Sequence, residues 1–161
     1  MKIKMRIDEG LMFSIPLGEN MFGLGQLIAW QNPIFYMVAY NLRSPSIEIE
    51  EASEFRAILV GNFFDVLIRN GRWQPIRKSP IPIIPFPCFK VAVSGKFYIE
   101  SWDRKRTREA SQNDLGILEF RTDYGPMILE NALKAHFGII PPDKMFDPLK
   151  IENVANVSKM C

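Results

Sequence analysis

The stretch from Gly10 to Tyr40 constrains the fold more than any other part of the chain. Leu11, Phe13, Ile15 and Leu17 fall on one side of an extended backbone, the spacing of a strand with a buried face. Phe22, Leu24, Ile28 and Trp30 repeat the alternation, and Ile34 to Tyr40 is apolar on both faces, as in a central strand. Gly18-Glu19-Asn20 and Gln31-Asn32-Pro33 supply the turns between them. The block reads as an up-and-down antiparallel meander over which the later elements must close. Within it Gly23 and Gly25 sit two apart, on one face. They permit a sharp bend or the close approach of another backbone, and the alternative is a ligand lying against them.

Before the meander, residues 1–9 alternate Lys2, Lys4 and Arg6 with Ile3, Met5 and Ile7, the pattern of a short edge strand blunted by lysines. After it, Ala57 to Val60 reads as a buried strand. Phe63 to Gly71 reads as a two-turn helix, with Asn62 as N-cap, Asp65 in the first turn and Gly71 just past the end. Phe63, Phe64, Leu67 and Ile68 would form its buried stripe. Pro75, Pro80, Pro82, Pro85 and Pro87 remove five amide donors, so this segment is expected to cross the surface as extended chain, with no domain boundary. Phe89 to Val93 and Lys96 to Glu100, joined by Ser94-Gly95, form a hairpin. Asp103 to Asp114 reads as a charged loop with a helical turn, and Leu115 to Arg121 as a short strand. Pro126 opens and Gly138 closes a helix over Met127 to Phe137, with Leu129, Ala132, Leu133, His136 and Phe137 at helical spacing. Together these elements predict an α+β fold: a strongly bent, barrel-like antiparallel sheet of about six to eight strands with two helices packed against it. One domain is expected over 1–161, with a core over about 10–140 and a loosely docked tail over 143–161.

A formal charge of +2 does not by itself imply nucleic acid or an anionic membrane as partner. The chain has only two cysteines, Cys88 and Cys161, so no disulfide framework is read and a reducing compartment is expected. Asp8 and Glu9 interrupt the basic start before an apolar run develops, so no signal peptide is read, and no stretch approaches the ~20 apolar residues of a membrane span. The expected location is cytoplasmic.

No motif for a nucleophile elbow, a phosphate-binding loop or a dinucleotide site occurs. The only histidine, His136, stands near a helix C-terminus, a position that favours an imidazolium without further function. A Cys88/His136 hydrolase is the catalytic alternative, although no glycine-rich turn near Cys88 offers an oxyanion hole. Arg104, Lys105, Arg106 and Arg108 form a basic knot beside Trp102. With Phe97 and Tyr98 they could serve a barrel module that binds single-stranded nucleic acid, but Asp103, Glu109 and the small net charge disfavour it. Glu48, Glu50, Glu51 and Glu54 make a matching acidic group. Patches of both signs on a near-neutral chain suit protein recognition better than nucleic acid.

Three blocks, in order, carry a family likeness. Gly10-Leu-Met-Phe-Ser-Ile-Pro-Leu-Gly18 with Phe22-Gly-Leu-Gly-Gln-Leu27 is the first. Gly61 through Asn70-Gly71-Arg72-Trp73 is the second, and Tyr124-Gly125-Pro126 opening a helix that ends Ala135-His136-Phe137-Gly138 is the third. In these the chain resembles the bacterial immunity protein 26 family over most of residues 10–140. The resemblance implies the protective half of a polymorphic toxin system: a small cytoplasmic protein, not an enzyme, that binds a cognate toxin encoded nearby and blocks it stoichiometrically. It implies no cofactor and no reaction, and it transfers no set of functional residues. Contact with the toxin is expected at the charged loops, through Glu48, Glu50, Glu51, Glu54, Trp102, Arg104 and Arg106.

Overall fold

The computed structural model describes residues 4–46 and 55–161. Their contacts cluster into two units, one of residues 1–82 with 123–150 and one of 83–122 with 151–161. The chain passes between them at Pro82/Ile83, inside the proline-rich crossing.

The first unit is built on the meander. β1 (Leu11–Gly18), β2 (Met21–Gln31) and β3 (Ile34–Ser44) pair antiparallel in sequence order, β4 (Ala57–Phe63) adds beyond β3, and β5 (Gln74–Lys78) adds beyond β1. From Ile34 to Tyr40 every residue of β3 is buried, as the two-sided apolar run demanded. Gly18, Glu19 and Asn20 all take positive φ in the first turn, and Asn32–Pro33 is cis in the second. No strand forms over residues 4–7, where Lys4 and Arg6 leave little to bury. Just after them Asp8 forms ion pairs with Arg6 and Lys78.

One face of this sheet packs Phe13, Ile15, Leu27, Phe35 and Met37 against Leu129 and Leu133 of a helix, Met127–His136. The two strand glycines now have a packing reason. A Cβ on Gly25 would collide with the Phe13 ring, and one on Gly23 with Leu133. Phe13 in turn stacks on Trp73, their ring centroids 5.1 Å apart and nearly parallel. Both rings are fully buried. The opposite face holds a polar clasp. The Tyr40 hydroxyl donates to Gln26 Oε1 at 2.5 Å, and Gln26 Nε2 donates to the carbonyls of Gly10 and Ser79 at 3.1 and 3.0 Å. Burial pushes the Tyr40 hydroxyl up to about 12.

Three expectations are corrected around this sheet. The strand after the meander continues through Gly61, Asn62 and Phe63, because Phe63 pairs with Phe35 across the ladder. The helix that follows, α1 (Val66–Arg69), is therefore a single turn preceded by Asp65, and Phe64 stays exposed. Second, Pro75 does enter a sheet, at the edge strand β5, where a missing donor is tolerated. Third, the eight strands found among the described residues divide into sheets of five and three. Residues 79–87 join no ladder, having too few amide donors to carry a sheet across.

The second unit contains β6 (Cys88–Val93), β7 (Lys96–Ser101) and β8 (Thr107–Glu109), paired in order. Ser94 and Gly95 both have positive φ, as a two-residue hairpin turn requires. Residues read as loop and strand instead give β8 and a helix, α2 (Gln112–Ile117), opened by a capping box between Ser111 and Asp114. Of the expected strand over 115–121 only a bridge between Phe120 and Lys90 remains.

The helix over Met127–His136, α3, matches the sequence reading, with Gly138 at φ +74° beyond its end. A 3-10 helix (Lys144–Leu149) follows in the first unit, burying Phe146 and Leu149, and α4 (Ile151–Ser158) in the second, burying Val154. Cys161, beyond α4, is disulfide-bonded to Cys88 in β6, whereas the sequence reading has the two cysteines forming no disulfide framework.

Candidate partner-binding surface

The basic knot lies in the loop between β7 and β8, and its conformation is fixed from within. Ser101 ends β7 with a buried side chain. Its hydroxyl donates to Asp103 Oδ1 at 2.6 Å and accepts from the Arg106 amide at 3.1 Å. Asp103 Oδ1 also accepts from the Lys105 amide at 3.0 Å, and the Arg104 and Ser101 amides close the turn onto Ser101 O and Arg106 O. Arg104 adopts φ +62°, a left-handed conformation uncommon in non-glycine residues. This small network holds Arg104, Lys105 and Arg106 in one place, all three exposed. Among the described residues no carboxylate forms an ion pair with any of them.

The neighbouring cations are committed elsewhere. Arg108 places Nη1 and Nη2 on Asp114 at 2.7 and 3.1 Å and donates to Met160 O at 2.6 Å. Arg121 bonds Glu100 at 2.8 Å and lies over the Phe89 ring, 4.4 Å from its centroid. The knot thus reduces to three cations without an ion pair among the described residues, with the Asp103 carboxylate close enough to act on Lys105 and Arg106. Trp102 is 8% exposed and packs on Phe86 with centroids 5.0 Å apart, so it shapes the loop from below. Beside the loop a hollow of about 330 Å³ is lined by Phe86, Trp102, Asp103, Arg106 and Cys161, and one of about 190 Å³ by Cys88, Ile99, Arg106, Arg108 and Cys161.

Glu48, Glu50, Glu51 and Glu54 lie outside the described residues. Phe97 and Tyr98 are adjacent on β7 and therefore point to opposite faces of the sheet. His136, in the first unit, has Nε2 3.0 Å from Asn41 Oδ1 and its ring edge-on to Phe137. Cys88 has its sulfur in the disulfide. Among the described residues no cluster of three metal-ligating side chains occurs and no helix is long and apolar enough to cross a membrane. Sequence reasoning missed Ser101 and Asp103. The signal was present as a Ser-x-Asp pair at the end of a strand, a pattern able to bond its own backbone.

No protein-family model, curated protein or solved structure matches the chain. The likeness to immunity proteins therefore rests on the three sequence blocks alone.

The loop and the α2 cap carry an acid-dependent component. The Ser101 hydroxyl, with the Lys105 amide, holds the Asp103 carboxyl below the usual range. The Arg108 guanidinium, with the Ser111 amide, holds that of Asp114 well below it. A carboxyl depressed in the folded state stabilises fully above its unfolded pKa of about 3.9, and this is lost as pH falls through the folded values. Stability of the second unit is expected to decline on acidification below about pH 4. Asp114→Asn should flatten part of that slope in thermal unfolding between pH 5 and 2, and unchanged slopes would count against the assignment.

Proposed function

We propose that this chain is an immunity-type protein that neutralises a partner bacterial toxin by direct, stoichiometric binding and performs no catalysis of its own. The observation that carries the reading is the ordered, exposed cation set Arg104, Lys105 and Arg106, in no ion pair among the described residues and supported by Ser101, Asp103 and Trp102. Pre-ordering lowers the entropy lost when charges dock, and exposed cations steer an acidic partner surface toward the loop. The sequence blocks shared with immunity proteins supply the class of partner. The five-stranded sheet then serves as a strongly bent, barrel-like scaffold. Bulges between Met12 and Phe13, Gly23 and Gly25, and Leu27 and Ala29 favour such curvature.

Two observations weigh against the alternatives. A single-strand nucleic-acid surface needs aromatic faces side by side, whereas Phe97 and Tyr98 diverge and Trp102 is covered. A hydrolase on Cys88 needs a free thiolate, which the disulfide removes. In a cytoplasmic setting the thiol pool would act on that same disulfide.

Purification with the product of the neighbouring toxin-type reading frame tests the reading. A one-to-one complex and protection on co-expression are expected. Arg104→Glu with Arg106→Glu should weaken binding roughly 10–100-fold, chiefly in the association rate and less at high salt. Neither complex nor protection would refute the proposal, and full affinity in the double variant would move the contact off this loop.

A further inference from the structure

The Cys88–Cys161 disulfide joins two sulfurs in very different surroundings. Cys88, 1% exposed, sits among Ile99, Leu118 and Val157. Cys161 is exposed and borders both hollows beside the basic loop. Arg106 borders both hollows as well and has no ion-pair partner among the described residues. In the smaller hollow the other cation, Arg108, is neutralised by Asp114. The larger one also contains Asp103, whose Oδ1 is bonded by Ser101 and Lys105 and whose carboxylate offsets part of the Arg106 charge.

We propose that Cys161 is a thiol-exchange site for an anionic low-molecular-weight thiol, a function separate from partner binding. Access selects the sulfur. A thiolate entering from the larger hollow meets Cys161 alone, while Cys88 borders only the smaller one and is almost wholly covered by its neighbours. The larger hollow, of about 330 Å³, has the size of a small-molecule site rather than of a macromolecular groove. Arg106 favours a thiol that carries a carboxylate.

In the exchange step the incoming thiolate attacks Cys161 Sγ, a new S–S bond forms there, and the Cys88–Cys161 bond breaks. Its electron pair leaves on Cys88 Sγ, which takes a proton from solvent because its apolar surroundings disfavour a thiolate. One disulfide is exchanged for another, with no net oxidation. A second equivalent of thiolate then attacks the sulfur of the bound small thiol, releasing Cys161 as thiolate and the small-molecule disulfide.

Limited treatment of the oxidised full-length protein with reduced glutathione, followed by acid quench and peptide mass analysis, tests the site. The mixed disulfide is expected on Cys161, with Cys88 recovered as a free thiol. Per unit of thiolate at low salt, glutathione should react about three- to tenfold faster than the cationic thiol cysteamine. Arg106→Ala, or high salt, should reduce that ratio to near one. Adducts chiefly on Cys88, a ratio near one in the unaltered protein, or two free thiols before treatment would each overturn the proposal. None of these outcomes depends on the toxin.

Discussion

Arg72→Ala is expected to destabilise the protein by about 3 kcal/mol, and adding Glu130→Gln to it should restore part of the loss. Glu130 is fully buried on the sheet-facing side of α3. Its two oxygens accept from Arg72 Nε at 3.0 Å and Nη2 at 2.8 Å, from Trp73 Nε1 at 3.3 Å and from Lys134 Nζ at 3.4 Å. Removing Arg72 strands a carboxylate in the core with only Lys134 to balance it. The value falls at the low end for broken buried pairs because Lys134 remains and Arg72 is itself half-exposed. Glu130→Gln alone keeps the shape and an acceptor for Trp73, so about 1–2 kcal/mol is expected. The non-additive double variant is the signature of a stranded charge. Simple addition of the two losses in urea unfolding would show that packing, not charge, dominates.

This carboxylate also shows where the sequence stops being legible. The period of two in the meander, the Ser94-Gly95 turn and the Pro126…Gly138 bounds of α3 were each readable, because strand, hairpin and helix ends leave local marks. Glu130, between Leu129 and Leu133, reads as an ordinary polar helix position. Its burial depends on Arg72 and Trp73, far away in the chain. Asn62 illustrates the opposite failure: a good N-cap residue was overruled when Phe63 found Phe35 across the ladder. At Ser111 the mark existed, since Ser-x-x-Asp is a capping pattern, yet the apolar residues after it drew a strand reading. β8 left no mark, all three of its residues being exposed. For the binding loop, the cations were visible in sequence. Which of them stay free was not, because Arg108 is neutralised by Asp114 only after α2 forms.

Cys161→Ser is expected to lower stability by up to roughly 4 kcal/mol, a large effect for an exposed position. The disulfide spans a sequence separation of 73, and cross-linking a loop of that length removes substantial entropy from the unfolded chain. The intervening chain leaves the second unit at Thr122 and returns at Ile151, so the cross-link ties β6 to a helix that arrives from far along the sequence. Cys161 is the informative position because its side chain is exposed. Cys88→Ser would also place a hydroxyl among Ile99 and Leu118 and mix burial costs with loss of the cross-link. α4 is too short to persist alone. Without the bond it depends on Val154, Val157 and the Arg108 bond to Met160 O. Its amides should therefore lose hydrogen-exchange protection before those of β1–β3. Reduction of the unaltered protein should reproduce the Cys161→Ser denaturation midpoint. A midpoint unmoved by either change would mean that the packing of α4, rather than the disulfide, holds the end of the chain on the sheet.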